Sequence, residues 1–130
     1  MNDKTRYWLD LCDDDLITAK ALLNAGRFLH LGFFCHSIVE KALKAMVSAK
    51  TDEMPPKIHD LPKLASLGAI WSDLSEGQKE LMKKLVPLQI ETRYPAYKEN
   101  VSKTLTPEYC KHILTDSEAF LCWIKQRLET

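Results

Sequence analysis

The feature that most constrains the fold is a long apolar stripe over residues 28–50. Apolar residues recur there every three or four positions, the spacing of one helix face, whereas no segment of the chain alternates with the period of a strand. A helix of this length must bury its stripe against other helices. The stripe comprises Phe28, Leu31, Gly32, Cys35, Ile38, Val39, Ala42, Leu43, Met46 and Ala49.

Further helical segments surround this stripe. Two proline-containing, largely polar segments, 51–60 and 91–105, are predicted to be loops. The helical segments are predicted over residues 5–24, over 61–67, from residue 75 to a kink or end near Pro87, and from 106 to about 128.

Residues that begin and end helices support these boundaries. The predicted N-terminal residues are Asp60, the capping pair Ser75 and Gln78, and Thr106 followed by Pro107, and the predicted stops are Gly26 and Gly68. Residues 1–130 are therefore predicted to form one domain, an all-α, antiparallel (up-and-down) four-helix bundle with one additional short helix.

Composition excludes several classes of protein. The 130 residues include 18 basic and 18 acidic side chains and are 45% hydrophobic, which argues against a disordered chain and against polyanion binding by overall charge. No apolar run approaches the ~20 residues of a membrane span and no signal peptide is recognisable, so we expect a cytoplasmic protein. The four cysteines form no C-x-x-C pair, and we expect reduced thiols with no metal and no cofactor.

Two carboxylates interrupt the apolar faces. Asp15 falls inside the stripe of the first helix, and Asp116 lies at the edge of the stripe of the last helix. A buried carboxylate is costly unless it is paired. Each either lies at a wetter helix margin or caps a loop, or it pairs with a cation that crosses the bundle. For such a pair we predict that Arg93 folds back onto Asp15 first, or else onto Glu40 or Asp116.

A polar column lies beside the central stripe. His36, Glu40 and Lys44 are successive i, i+4 neighbours, with Lys41 alongside. This column is either a solvated helix face or one wall of a polar groove that faces the 91–105 segment.

The segment 91–97 joins an arginine, two tyrosines and a proline. Arg93, Tyr94 and Tyr97 suit phosphate and base recognition through forked hydrogen bonds and stacking, although tyrosines also fill contacts between loops and helices. Nucleotide contact and plain packing therefore both remain open for this segment.

Taken together, these motifs resemble the HEPN family (higher eukaryotes and prokaryotes nucleotide-binding domain), in particular its stand-alone prokaryotic branch, which is related to the C-terminal domain of sacsin. The resemblance implies a helical bundle, a homodimer, and pairing with a minimal nucleotidyltransferase in a toxin–antitoxin-like system. The matching stretches are WLDLCDDDLITAKALL (8–23), FCHSIVEKALK (34–44), IHDLPKL (58–64) and TRYPAY (92–97).

Ribonuclease members of that family share an R-x(4–6)-H motif, and this chain departs from it. The positions at which a histidine would follow Arg93 hold Lys98, Glu99 and Asn100. The resemblance therefore implies no catalytic residue, and we expect no ribonuclease activity. A base for such a reaction would have to be His36 or His59. In some family toxins a tyrosine near the motif receives nucleotides, and Tyr94 and Tyr97 lie in the corresponding region.

Three functions follow as hypotheses. The first is a binding module for a nucleotide, RNA or a nucleotidyltransferase partner, the second a ribonuclease toxin with a displaced active site, and the third a structural self-association domain. The width of the central stripe, with the resemblance, predicts a homodimer. The expected ligand-binding residues are Arg93, Tyr94, Tyr97, Lys41, Lys44, His36 and Glu40, and the expected structural polar residues are Asp15, Asp116, His59 and Asp60.

Overall fold

The structure is a computed structural model that describes residues 1–89 and 95–129, without the side chains of residues 95–98. Within these residues the chain forms helices, turns and loops and no strand, which confirms the all-α prediction. The α-helices are α1 (Asp3–Asn24), α2 (Phe28–Thr51), α3 (Leu61–Leu67), α4 (Glu76–Leu85), α5 (Pro95–Thr104) and α6 (Pro107–Glu129), and short 3-10 turns cover Trp71–Asp73 and Val86–Leu88.

The long helices run up and down, as predicted. A turn at Gly26, whose φ of 70° favours glycine, reverses the chain between α1 and α2. Asn2 at the start of α1 consequently donates a hydrogen bond to the carbonyl of Ser48 near the end of α2, at 3.2 Å. Helix α6 is antiparallel to α1, because Lys20 pairs with Glu118 at 3.1 Å and Asp13 with Lys125 at 2.6 Å.

Helix α2 lies at the centre of the bundle. It contacts α1, α3, α4 and α6, and its side chains Leu31, Ile38 and Leu43 are fully buried. Burying one such side chain contributes roughly 1.5–3 kcal/mol, so this helix supplies much of the stabilisation. A Cβ atom on Gly32 would lie 3.1 Å from a methyl group of Leu88, so the glycine permits a close approach between α2 and the second 3-10 turn.

The predicted helix boundaries are confirmed by their capping bonds. The side chain of Asp60 accepts a hydrogen bond from the amide of Lys63 at 3.1 Å, and Ser75 and Gln78 form a reciprocal capping box. The hydroxyl of Thr106 accepts a bond from the amide of Tyr109 at 3.2 Å. These bonds satisfy amides that the first turn of a helix leaves without a partner.

The prediction that residues 91–105 form one loop is wrong, because Pro95–Thr104 is the helix α5. Proline suits a first helical position, since the amide that it lacks would be unbonded there. Val101 and Leu105, four positions apart, are buried and anchor the segment to the bundle. The third long helix ends near Pro87, as predicted: α4 ends at Leu85, and a 3-10 turn over Val86–Leu88 follows it.

Candidate functional site

The carboxylate of Glu40 is the centre of a buried polar cluster on α2. Its Oε1 lies 2.8 Å from Nδ1 of His59, and its Oε2 accepts a hydrogen bond of 3.0 Å from Nζ of Lys44. Glu40 is only 8% exposed, so a carboxylate here requires both partners. The two bonds fix the plane of the carboxylate and direct one oxygen toward the connection between α2 and α3.

Lys44 lies between Glu40 and an aromatic ring of α1. It is 6% exposed, and its Nζ sits 5.3 Å from the centre of the Trp8 ring. The ammonium is thus stabilised by a carboxylate on one side and by the negative face of an indole on the other. The indole Nε1 of Trp8 is itself buried with no hydrogen-bond partner within the described residues.

His36 lies one helical turn before Glu40 and is 2% exposed. Burial lowers its pKa to about 4, and the charges of His59 and Lys44 act in the same direction, against the opposing effect of Glu40. His36 is therefore neutral at neutral pH. The 3.7 Å separation between its Nδ1 and Oε1 of Glu40 is accordingly a contact between a neutral ring and a carboxylate.

His59 is the member of this cluster that solvent reaches, with 59% of its side chain exposed. The connection that carries it leaves α2 at Asp52, whose left-handed φ of 54° turns the chain back along the helix. Pro55 is buried within the connection, and Asp60 fixes its far end by capping α3. These anchors hold the imidazole of His59 against Glu40.

Asp15 forms a second polar centre between α1 and α2. Its Oδ2 accepts a 2.7 Å bond from Nζ of Lys41 and a 2.8 Å bond from the hydroxyl of Ser37. Asp15 therefore pairs with a cation, as expected, and that cation is Lys41. The predicted pairing of Asp15 with Arg93 involves a residue outside the described part of the chain. Asp116 is exposed on α6, so it lies at a wetter helix margin.

The structure brings together the predicted column and adds residues that the sequence did not assign to it. Because His36, Glu40 and Lys44 are buried, the column is not a solvated helix face. These three residues lie behind the exposed side chain of His59. Arg93 and Tyr94 lie outside the described residues, and Tyr97 is described only as part of the α5 backbone. Trp8 was missed, because sequence spacing on α1 assigns it to the apolar stripe.

The placement of His59 beside Glu40 also had no signal in the sequence. The two residues are 19 positions apart, and their contact depends on the path of the α2–α3 connection. Only the resemblance to known proteins, which includes the IHDLPKL stretch, singled out this histidine.

The fold and the site together define a small helical bundle with a buried charged cluster on its central helix. Residues 5–128 match the HEPN domain family, and the chain belongs to that family. Among curated proteins no relative matches the sequence. None of the described helices is both long enough and apolar enough to cross a membrane.

Two solved structures share this fold. The crystal structure of TT1696 from Thermus thermophilus is 22% identical, with a TM-score of 0.81 over 96% of this chain and 98% of the other. ST0689, described as an archaeal HEPN homologue, is 16% identical, with a TM-score of 0.67 over 98% of this chain and 99% of the other. At these identities the likeness supports the assignment of the helical-bundle fold. The ligand has to be inferred from the site.

Proposed function

We propose that this HEPN domain is a binding module for a nucleotide or RNA and that its ligand contacts the surface around His59. The observation that carries the proposal is the burial of Glu40 and Lys44 behind an exposed histidine. Burying charged groups opposes folding unless they are paired, and apolar residues would stabilise the same position at least as well. Clusters of this kind mark functional sites more often than other parts of a fold.

The segment that contains Arg93, Tyr94 and Tyr97 supplies the second half of the proposed site. An arginine binds a phosphate through two parallel hydrogen bonds, and a tyrosine ring stacks on a base. Lys41 adds a partly exposed ammonium on α2, with 24% of its side chain accessible. The proposal assigns the phosphate to these cations and the sugar and base to the aromatic and imidazole rings.

Family membership supports two proposals about partners. One is a homodimer, and the other is a minimal nucleotidyltransferase that acts with this domain in a toxin–antitoxin-like pair. The neutral overall charge of the chain fits a ligand held by a local set of side chains. A nucleotidyltransferase reading frame beside this one would favour the paired system.

Calorimetric titration with a panel of nucleotides and a short RNA tests the proposal. We expect saturable binding that is weakened at least about tenfold by Arg93→Ala, because a charge-assisted hydrogen bond contributes roughly 1.5–3 kcal/mol. Arg6→Ala, at an exposed arginine of α1, is the matched control and should leave the affinity unchanged. Absence of binding by the whole panel would contradict the proposal and favour a purely structural self-association domain.

The second candidate function is a ribonuclease with a displaced active site. Its general base would be His59, which is paired with Glu40, rather than His36. A carboxylate that orients an exposed imidazole is the arrangement of a general base, whereas His36 is buried. We still expect no cleavage of labelled RNA above a buffer control, because the histidine of the family motif is missing after Arg93. Cleavage that survives a chelator and disappears in His59→Ala would establish the second candidate instead.

A further inference from the structure

We infer that a groove between α3 and α4 is a docking surface for an acidic peptide segment of a partner protein. In this complex a large apolar side chain of the segment fills the groove, and a neighbouring carboxylate binds Lys79. The inference goes beyond the proposed function, because none of the residues assigned to the ligand site around His59 lines this α3–α4 groove.

The floor and walls of the α3–α4 groove are apolar. Pro62 at the start of α3, Trp71 in the first 3-10 turn, and Met82 and Val86 line a space of about 250 Å³. A cavity of roughly 150 Å³ is enough for a benzene molecule, so the groove has room for a leucine or phenylalanine side chain. Trp71 and Val86 are 38% and 50% exposed, and a covering side chain would remove that apolar surface from water.

Lys79 lies at the rim of the groove and has no close acceptor for its hydrogen bonds. Its ammonium sits 5.0 Å from the centre of the Trp71 ring, and Oε1 of Glu76 is 3.9 Å away, beyond hydrogen-bond range. No other group among the described residues accepts a bond from this nitrogen. Only 30% of the Lys79 side chain is exposed. A carboxylate that arrives with a ligand would therefore supply the partner that this ammonium lacks.

The charges beside the groove favour an acidic ligand. Lys83 follows Lys79 by one turn of α4, and its 3.3 Å contact with Glu80 is exposed, a kind of pair that is weak. The side chain of Glu76 is 92% exposed, so its carboxylate can stay in water while Lys79 binds a ligand. Two ammonium groups next to an apolar space fit an apolar side chain flanked by carboxylates, whereas a basic segment would be repelled.

This lining suits a protein segment better than a nucleotide. The edge of a base carries donors and acceptors, which walls of proline, methionine and valine would leave without partners. An apolar side chain has no such requirement. Accessible tryptophans are also frequent anchors of protein–protein interfaces, and Trp71 occupies that position here.

The test selects peptides from a random display library on the wild-type protein and on two variants. Val86→Glu places a carboxylate in the groove at an exposed position, and Ile17→Glu, at an exposed position of α1, is the matched control. We expect peptides that combine a large apolar residue with Asp or Glu to be enriched on the wild type and on Ile17→Glu and to be lost on Val86→Glu. Urea unfolding of each variant checks that it folds.

One enriched peptide then measures the role of Lys79 in fluorescence anisotropy titrations. Because a charge-assisted hydrogen bond is lost, Lys79→Gln should bind this peptide at least about tenfold more weakly, and Lys79→Arg should keep most of the affinity. Lys111→Gln, at an exposed lysine of α6, is the matched control and should bind as the wild type does.

Several outcomes would overturn the inference. They are no enrichment, enrichment of basic or purely apolar peptides, the same peptides on Val86→Glu, and equal affinity of Lys79→Gln and the wild type. A wild-type dimer that becomes a monomer in Val86→Glu would also overturn it, because a second copy would then occupy the groove. None of these results bears on binding of nucleotides or RNA near His59, so the proposed function stands or falls by its own titration.

Discussion

At the scale of single residues, Glu40 joins α2 to the connection that follows it. Its carboxylate contacts Lys44 and lies near His36 on α2, and it also contacts His59 on the connection. The contacts with Lys44 and His36 are buried, whereas the contact with His59 is open to solvent on the histidine side. The i, i+4 spacing of His36, Glu40 and Lys44 was visible in the sequence. Their burial was not, because local spacing does not reveal which face of a central helix its neighbours cover.

Removing the charge of Glu40 should destabilise the fold. In Glu40→Gln the ammonium of Lys44 stays buried with a neutral amide as its partner, and breaking a buried ion pair costs about 3–5 kcal/mol. Urea unfolding measures the free energy directly. Glu118→Gln is the matched control, since its pair with Lys20 is exposed and such pairs contribute only ~0–1 kcal/mol. Equal losses in the two variants would contradict the account.

His36 should make the stability depend on pH. Burial lowers its pKa from 6.5 to about 4 in the folded state, so between these values the unfolded chain binds more protons. The free energy of unfolding therefore falls as the pH falls from 6.5 toward 4, by roughly 3 kcal/mol from this residue alone. In urea unfolding, the free energy of unfolding of the wild type should fall relative to that of His36→Gln as the pH falls over this interval. A difference that does not vary with pH would show that His36 titrates normally.

At the scale of elements, most helices could be predicted from apolar spacing and capping residues. The first, second and last helices and α3 lie where the periodicity places them, within a few residues. The exception is α5, which begins at Pro95 in a stretch whose polar composition favoured a loop. Among the described side chains of α5, residues 99–104, only Val101 is buried, so this part of the helix shows no periodic apolar stripe.

The short helix α3 should depend on its N-cap. Seven residues form few internal hydrogen bonds, and the side chain of Asp60 supplies one for the amide of Lys63. Asp60→Ala should lower the free energy of unfolding by ~0.5–2 kcal/mol, as N-cap removals do. Asp60→Asn keeps an accepting oxygen and should lose much less. If thermal unfolding shows both variants destabilised by the same amount relative to the wild type, the negative charge of Asp60, and not its capping bond, would be responsible.

At the scale of the whole molecule, we expect the domain to form a homodimer with a dissociation constant in the micromolar range or tighter. On α2, outside the buried stripe, Phe33 is 37% exposed beside the half-buried Phe34, and such an aromatic pair could pack against a second copy. At ~100 μM protein a micromolar dimer dominates in sedimentation velocity. Phe33→Glu should shift the boundary toward monomer, whereas Ile17→Glu, at an exposed position of α1, should not. A wild-type monomer at that concentration would contradict the prediction.

The central claim is that a nucleotide or RNA ligand contacts the surface at His59, and histidine ring resonances test it most directly. In NMR spectra of the protein titrated with a short single-stranded RNA, the ring signals of His59 should move saturably. The signals of His30 and His112, both exposed elsewhere, should stay in place. Binding that leaves the His59 ring signals unchanged would contradict the account.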